Sequence, residues 1–379
     1  MGIKELEVKG FRSLRHVRWT PGALNVLIGP NGSGKSNLLD VCALLRESAI
    51  GRLHEGIASR GGMFPLLWDG QEKHLTFDLA GQANGETLAY HLELLQLGNT
   101  SNYSIESERL VDDEKEHIYR TSDSNSVFDP KHGYTPYPDS VSNSQPLLSL
   151  LAGPFGNPMA RIFQRGLEGW GVYSYFRVDQ EAPLRQASVS RSEKKLRPDG
   201  QNLTSVLHTL YTGNREFEYS LDAAMSAAFG PEYEKIVFQP DASDQRIQLG
   251  LRWRSLKSVQ TAASLSDGTL RFLRLIAILA NPEPGEVIAI DEPETGLHPG
   301  MLPLVAELAA EAAERAQVIF TTHSPQFLDG FDRPPTTTVA ELVDGETRLS
   351  VLEGDQLARW LEHYSLGSLY ISGELEGMA

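Results

Sequence analysis

Cysteine is almost absent from this chain: Cys42 is the only one in 379 residues. One thiol excludes a disulfide framework, and its place in an apolar helical pattern points to a reducing, cytoplasmic compartment. No apolar run approaches the ~20 residues that span a bilayer. The opening "MGIKELEVKGFRSL" has the build of neither a signal nor a transit peptide. Gly2 lacks a myristoylation context, because Glu5 and Leu6 stand where the acceptor serine belongs. No membrane partner is expected. Positive charge is also short, with 34 Lys and Arg against 50 Asp and Glu and a net charge of −16. That balance opposes non-specific nucleic-acid binding by the surface as a whole. Neither an internal repeat nor a long heptad run is visible. What remains is a soluble globular composition, 40% hydrophobic and 22% charged, in a chain long enough for one large domain or two.

Residues 3–9 alternate as a strand and 23–29 form a more buried one, followed by a glycine-rich turn and a helix to about Arg46. Residues 75–120 read as β-rich. Residues 121–146, rich in Ser, Asp, Pro and Asn, read as a loop or mobile insertion without regular structure. Further strands are predicted at 173–178, 246–254, 287–290 and 318–322. A helix with Asn202 as N-cap is expected from 202, and another near 302–315. A hairpin around Asp344–Gly345 and a helical tail near 355–365 complete the pattern.

The sequence "GPNGSGKS", Gly29 to Ser36, satisfies G-x-x-x-x-G-K-[ST] between a buried strand and a helix. Glycines let successive backbone N–H groups turn onto one anion, and the helix N-terminus adds its positive dipole end. Lys35 is expected on the β- and γ-phosphates of ATP and the Ser36 hydroxyl on Mg²⁺. A Gly-rich turn that merely connects two elements is the plain alternative, disfavoured by the strand and helix on either side.

Residues 286–299, "EVIAIDEPETGLHP", are an apolar strand ending in adjacent carboxylates. Asp291 is placed to hold Mg²⁺, and Glu292 to polarise the attacking water as general base. About 30 residues on, "VIFTTHSP" is a second buried strand, ending at His323. A histidine there is expected to sense the γ-phosphate, with a packed core histidine as the alternative. Lys35 and Asp291 lie 256 residues apart, so a large insertion divides one nucleotide-binding core.

Taken in order, "GPNGSGKSN" (Gly29 to Asn37), "LSDGTLR", "IDEPETGLHP" and "TTHSP" resemble the ABC-type ATPases of the SMC/RecF branch. The likeness is strongest to small ATPases related to the overcoming-lysogenization-defect (OLD) family. "LEVKGFRSLRHV" is similar to that branch's opening strand. The resemblance implies an α/β fold, a P-loop NTPase of ABC type with a mixed central sheet. It implies a core at 1–60 and 256–335, a β-rich lobe at 61–178, a helical lid at 179–255, and a C-terminal hairpin and tail at 336–379.

It also implies that Ser266, Asp267 and Gly268 act in trans. Two copies pack head to tail around two nucleotides, and each Ser-x-Gly turn caps the γ-phosphate held by the other copy. An ordinary helix cap by Ser266 is the plainer alternative. Arg12 is implied beside the phosphates, Glu294 to His298 as a loop crossing the dimer interface, and Gln180 as the Mg²⁺-sensing glutamine. An ordinary exposed glutamine fits position 180 equally.

The output is a conformational cycle driven by ATP. One expectation is DNA maintenance or anti-phage defence, for which Arg185, Arg191, Lys194, Lys195 and Arg197 could track the backbone of duplex DNA. A solvated loop explains the same charges. The other expectation is an ATP-gated scaffold for a partner protein. Many OLD-family chains carry a TOPRIM nuclease domain, but only about 54 residues follow Pro325 here, so a nuclease or other effector is expected in trans.

Overall fold

The computed structural model describes every residue except 71, 84, 99–100, 122–123, 130–132, 137–141, 152–155, 175, 241–245, 353–354 and 379. The chain forms two compact units, one of residues 1–172, 336–353 and 376–379, the other of 173–335 and 354–375.

In the first unit an antiparallel eight-stranded sheet begins with Leu14–Trp19 and Gly2–Phe11. It continues in sequence order from His74–Ala83 to Gly133–Pro136. The strand Glu86–Gln96 shows why one face is core: every second side chain is buried, the period-two signature of a half-covered sheet. Leu24–Ile28 behaves differently. Its residues from Asn25 to Ile28 are all buried, as expected of a strand covered on both faces, and it pairs in parallel with Thr336–Val343. That strand turns into Glu346–Leu352 through Asp344 and Gly345, both at positive φ (53° and 81°), the hairpin the Asp-Gly pair predicts.

In the second unit Val287–Asp291 and Gln317–Thr321 pair in parallel, with Asp291 opposite Thr321. The helix Asp267–Leu279 is buried along nearly its whole length. Helices Leu203–Gly213 and Arg215–Phe229 accompany a small antiparallel sheet of Tyr233–Pro240 and Arg246–Trp253. Among the described residues no helix is long and apolar enough to cross a membrane.

Four local expectations need correction. The stretch 121–146 contains two paired strands, Ser124–Asp129 and Gly133–Pro136. They extend the sheet's end, where a short strand needs little apolar alternation; residues 137–141 lie outside the described ones. Of the strand expected at 173–178 only Tyr173 lies in a strand, at the end of Gly171–Tyr173. Residue 175 lies outside the described ones, and the Val178 carbonyl accepts from the Arg185 guanidinium rather than from a strand. The stretch 179–255 is helical only in part: Tyr233–Pro240 is a strand whose buried positions, Tyr233 and Ile236, are too few for a readable alternation. Asn202 does not cap its helix; its side chain instead accepts from Arg197 N and donates to the Lys195 carbonyl.

Candidate nucleotide-binding and hydrolysis site

The glycine-rich loop lies in the first unit between the Leu24–Ile28 strand and the helix Lys35–Ala49. Gly29, Gly32 and Gly34 have φ of 136°, 81° and 98°, backbone that β-carbons rarely allow. Packing adds a second reason at two of them. A β-carbon on Gly29 would lie 2.1 Å from the Ala340 carbonyl oxygen, and one on Gly34 2.1 Å from Thr347 Oγ1. The helix begins on Gly34 without a side-chain cap, and its N-terminal end carries the positive end of the helix dipole. Ser33 Oγ is buried without a hydrogen-bond partner inside the same turn. Pro30, Asn31 and Gly32 form the exposed rim except where Pro30 accepts from Lys35. Lys35 is folded back, its ammonium donating to the carbonyls of Gly29 (2.7 Å) and Pro30 (2.9 Å). A helix start without a side-chain cap, the buried unpaired Ser33 hydroxyl and a lysine parked on carbonyls fit a phosphate chain, with Ser36 at the helix start.

Arg12 joins this loop. Its guanidinium donates to Asn37 Oδ1 (3.1 Å) and pairs with Asp40 (3.0 Å), on the first turns of the same helix. Two residues that sequence reasoning missed brace the loop. Thr347 Oγ1 is within hydrogen-bond distance of Ser13 Oγ (2.7 Å) and of the Ser33 carbonyl (2.8 Å). Asn37 donates to the same Ser13 hydroxyl at 2.8 Å. Only the fold brings Thr347 there.

The second unit carries the carboxylates. Asp291 ends its strand and accepts from the Thr321 hydroxyl directly opposite. Glu292 follows at φ 44°, a left-handed conformation that costs a non-glycine residue about 1–3 kcal/mol. Its amide donates to the Thr321 carbonyl (3.1 Å), which fixes the bend. His323 Nδ1 stands 3.3 Å from Glu292 Oε1 and 3.6 Å from Glu294 Oε1. Glu294, absent from the catalytic set read from sequence, accepts from Thr322 Oγ1 (2.7 Å) and the His323 amide (3.1 Å). It therefore locks the two strand ends together. Glu292 and His323 stay about half open, with side-chain exposures of 39% and 48%. His298 caps the Gly300 amide through Nδ1.

In the Ser-Asp-Gly turn, Ser266 Oγ accepts from the Thr269 amide at 3.2 Å, so it is a helix cap, and it remains exposed. Gly268 is required by packing: a β-carbon would lie 2.9 Å from the Gly296 carbonyl oxygen. Asp267 pairs with Arg185. That contact removes Arg185 from the basic surface segment. It is 5% exposed, and its guanidinium donates to Val178 O (2.8 Å), Ala262 O (3.0 Å) and Leu265 O (2.7 Å). Lys194 pairs with Glu283 (2.6 Å) and Arg197 with Glu193 (2.7 Å), while Arg191 and Lys195 lie nearby on the same exposed segment. Gln180 is exposed in a turn beside Asp179.

The family model described as "AAA domain, putative AbiEii toxin, Type IV TA system" matches residues 24–329. A curated relative named OLD nuclease, from Thermus scotoductus, is 24% identical over 347 residues. The match takes in 86% of this chain, which spans 60% of the relative's length. Among solved structures, an SMC head bound to the C-winged helix domain of ScpA aligns with a TM-score of 0.61 at 12% identity. It covers 95% of this chain and all of that one. An SMC head with an extended coiled coil, bound to the C-terminal domain of ScpA derived from Pyrococcus furiosus, gives 0.57 at 14%, covering 95% and 98%. The fold is thus that of SMC heads, an α/β P-loop architecture of ABC type.

Proposed function

Since this chain belongs to the AAA_21 family, an ABC-type ATPase family of the SMC, RecF and OLD branch, we propose that it binds ATP on Gly29–Asn37 and hydrolyses it with Glu292. The observation that carries this reading is the Glu292 carboxylate. Its backbone takes a left-handed conformation at a strand end, and the carboxylate is set against His323 at 3.3 Å. Strain of this kind collects where geometry serves chemistry.

In this reading Lys35 exchanges its two loop carbonyls for the β- and γ-phosphates. The N-terminal end of the helix, with its positive dipole, holds the same charge. Mg²⁺, held by Ser36 and Asp291, would supply charge neutralisation at the transferring phosphoryl group. Glu292 accepts the proton of the attacking water, and His323 donates to the γ-phosphate from beside it. Glu294 keeps both in register. Water adds to the γ-phosphorus as the bond to the ADP oxygen breaks, giving ADP and phosphate. The turn Ser266–Gly268 serves the nucleotide of a second copy, so that ATP closes a head-to-tail homodimer and hydrolysis reopens it. Gln180 is kept as the Mg²⁺-sensing residue.

The cycle is assigned to DNA maintenance or anti-phage defence, with a nuclease or other effector acting in trans. The OLD nuclease relative supports that assignment. A second reading, an ATP-gated scaffold without DNA contact, is favoured by one specific observation. Arg185 is buried, and Lys194 and Arg197 are ion-paired, so the segment offers far less free positive charge than its composition suggests. The SMC head solved with a ScpA domain is an example of this fold with a protein domain bound to it.

Glu292→Gln tests the core of the proposal. It should keep ATP binding, lose hydrolysis by ~10²–10³-fold and accumulate as dimers in light scattering. A monomeric, fully active variant would overturn the assignment. ATPase activity with and without duplex DNA, across salt, separates the two biological readings: stimulation that fades with salt supports the DNA role.

A further inference from the structure

Arg271 and Arg274 stand three residues apart on the Asp267–Leu279 helix and therefore share a face. Both line a cavity of about 180 Å³ in the second unit, with Phe176, Asp291, Glu292 and Thr295 among its walls. Arg274 is 6% exposed, and its Nε and Nη2 are buried without a hydrogen-bond partner. Among the described residues neither guanidinium makes a hydrogen bond or an ion pair. The Arg274 guanidinium lies 4.3 Å from the ring centre of Phe176 and 5.5 Å from that of Tyr173. Aromatic faces offset only part of the cost of desolvating a guanidinium. Burial, with Arg271 adding to it, lowers the pKa of Arg274 to about 10, so the group is still a cation at neutral pH.

Buried arginines are ordinarily paired, and two unpaired ones side by side repel. The nearby carboxylates do not answer them. Asp291 is engaged by Thr321, and Glu292 by His323 and Thr295. Space has been kept for Arg271 as well. A β-carbon on Gly296 would come within 3.0 Å of Arg271 Cδ and Nε.

We propose that this cavity binds a compact tetrahedral oxyanion, inorganic phosphate, between Arg271 and Arg274 on the flank of Glu292. The guanidinium fork matches phosphate oxygens in pairs, and a water-poor wall strengthens each bond. The inference rests on the ATPase reading only for the origin of the phosphate. Hydrolysis beside Glu292 would deliver it as product, and phosphate in solution would reach the same groups as an effector. Held product would make phosphate release, not bond cleavage, the slow event of the cycle.

The test is equilibrium dialysis of radiolabelled inorganic phosphate, without nucleotide, against Lys35→Ala protein, in which the glycine-rich loop no longer competes. One saturable site per chain is expected. Arg274→Met and Arg271→Met should each weaken it at least tenfold. Arg274→Met should melt no lower than its parent, because it removes an unpaired buried charge. Arg271 is more open, so its variant decides the matter if the first one misfolds. No binding to Lys35→Ala, or binding that both arginine variants leave unchanged, overturns the proposal. Because nucleotide is absent, that result does not depend on whether the protein hydrolyses ATP. Single-turnover phosphate release by protein with an intact Lys35 then identifies the source. A lag after cleavage that Arg271→Met abolishes marks held product, and binding without a lag marks phosphate from solution.

Discussion

The guanidinium of Arg185 closes on the carboxylate of Asp267 while its remaining nitrogens collect the carbonyls of Val178, Ala262 and Leu265. One buried cation thus ties the Ser-Asp-Gly turn to the segment that carries Gln180.

Arg185→Ala should leave those carbonyls unanswered and destabilise the protein by about 2–4 kcal/mol in denaturant melts. If the turn serves a second copy's nucleotide, hydrolysis falls at least tenfold while ATP affinity stays near wild type. Arg185→Lys should recover little, since a single ammonium cannot span the same acceptors. An equal loss of ATP affinity would show that Arg185 acts on the binding loop and not on the turn.

Ser266 offers a cleaner separation of cap from catalysis. Ser266→Asp keeps an oxygen for the Thr269 amide, so thermal stability should hold. A carboxylate facing a phosphate should nonetheless stop hydrolysis. A Ser266→Asp enzyme that turns over normally would leave the residue as a helix cap and nothing more.

Glu292→Gly predicts a stability result opposite to the usual one. Glycine adopts φ 44° without strain, so its melting temperature should equal or exceed that of the parent, although glycine also adds unfolded-state entropy. Hydrolysis should be lost. Calorimetry showing a large destabilisation would mean that the bend is not strained in solution.

Thr347→Val removes the brace beneath the glycine-rich loop while keeping its shape. The expected cost is ~1–2 kcal/mol of stability, read in denaturant melts. ATP affinity should drop about fivefold to tenfold, read by titration, with turnover at saturation nearly unchanged. A fall in saturated turnover instead would place Thr347 in the chemistry.

The glycine-rich loop, the Asp291–Glu292 strand end and His323 are legible in the sequence because each couples a local pattern to a local shape. A buried strand followed by glycine or by paired carboxylates carries its own geometry. Arg185 is not legible in that way, since composition groups it with the surface lysines and only tertiary burial separates them. Arg271 and Arg274 vanish into a helix whose apolar residues dominate its pattern. Glu294, Ser13 and Thr347 act by meeting residues far along the chain, which no periodicity encodes. The strands within 121–146 are missed for a related reason: end strands gain their order from the sheet they extend, not from their own residues.

The brace formed by Ser13 and Thr347 spans 334 positions of sequence. At ~5–20 residues per second, a ribosome would deliver the second partner roughly twenty to sixty seconds after the first. Until then the glycine-rich loop has been made but lacks its support. If the loop holds ATP as proposed, full affinity for it comes late in the life of each new chain, because the supporting threonine is made long after the loop.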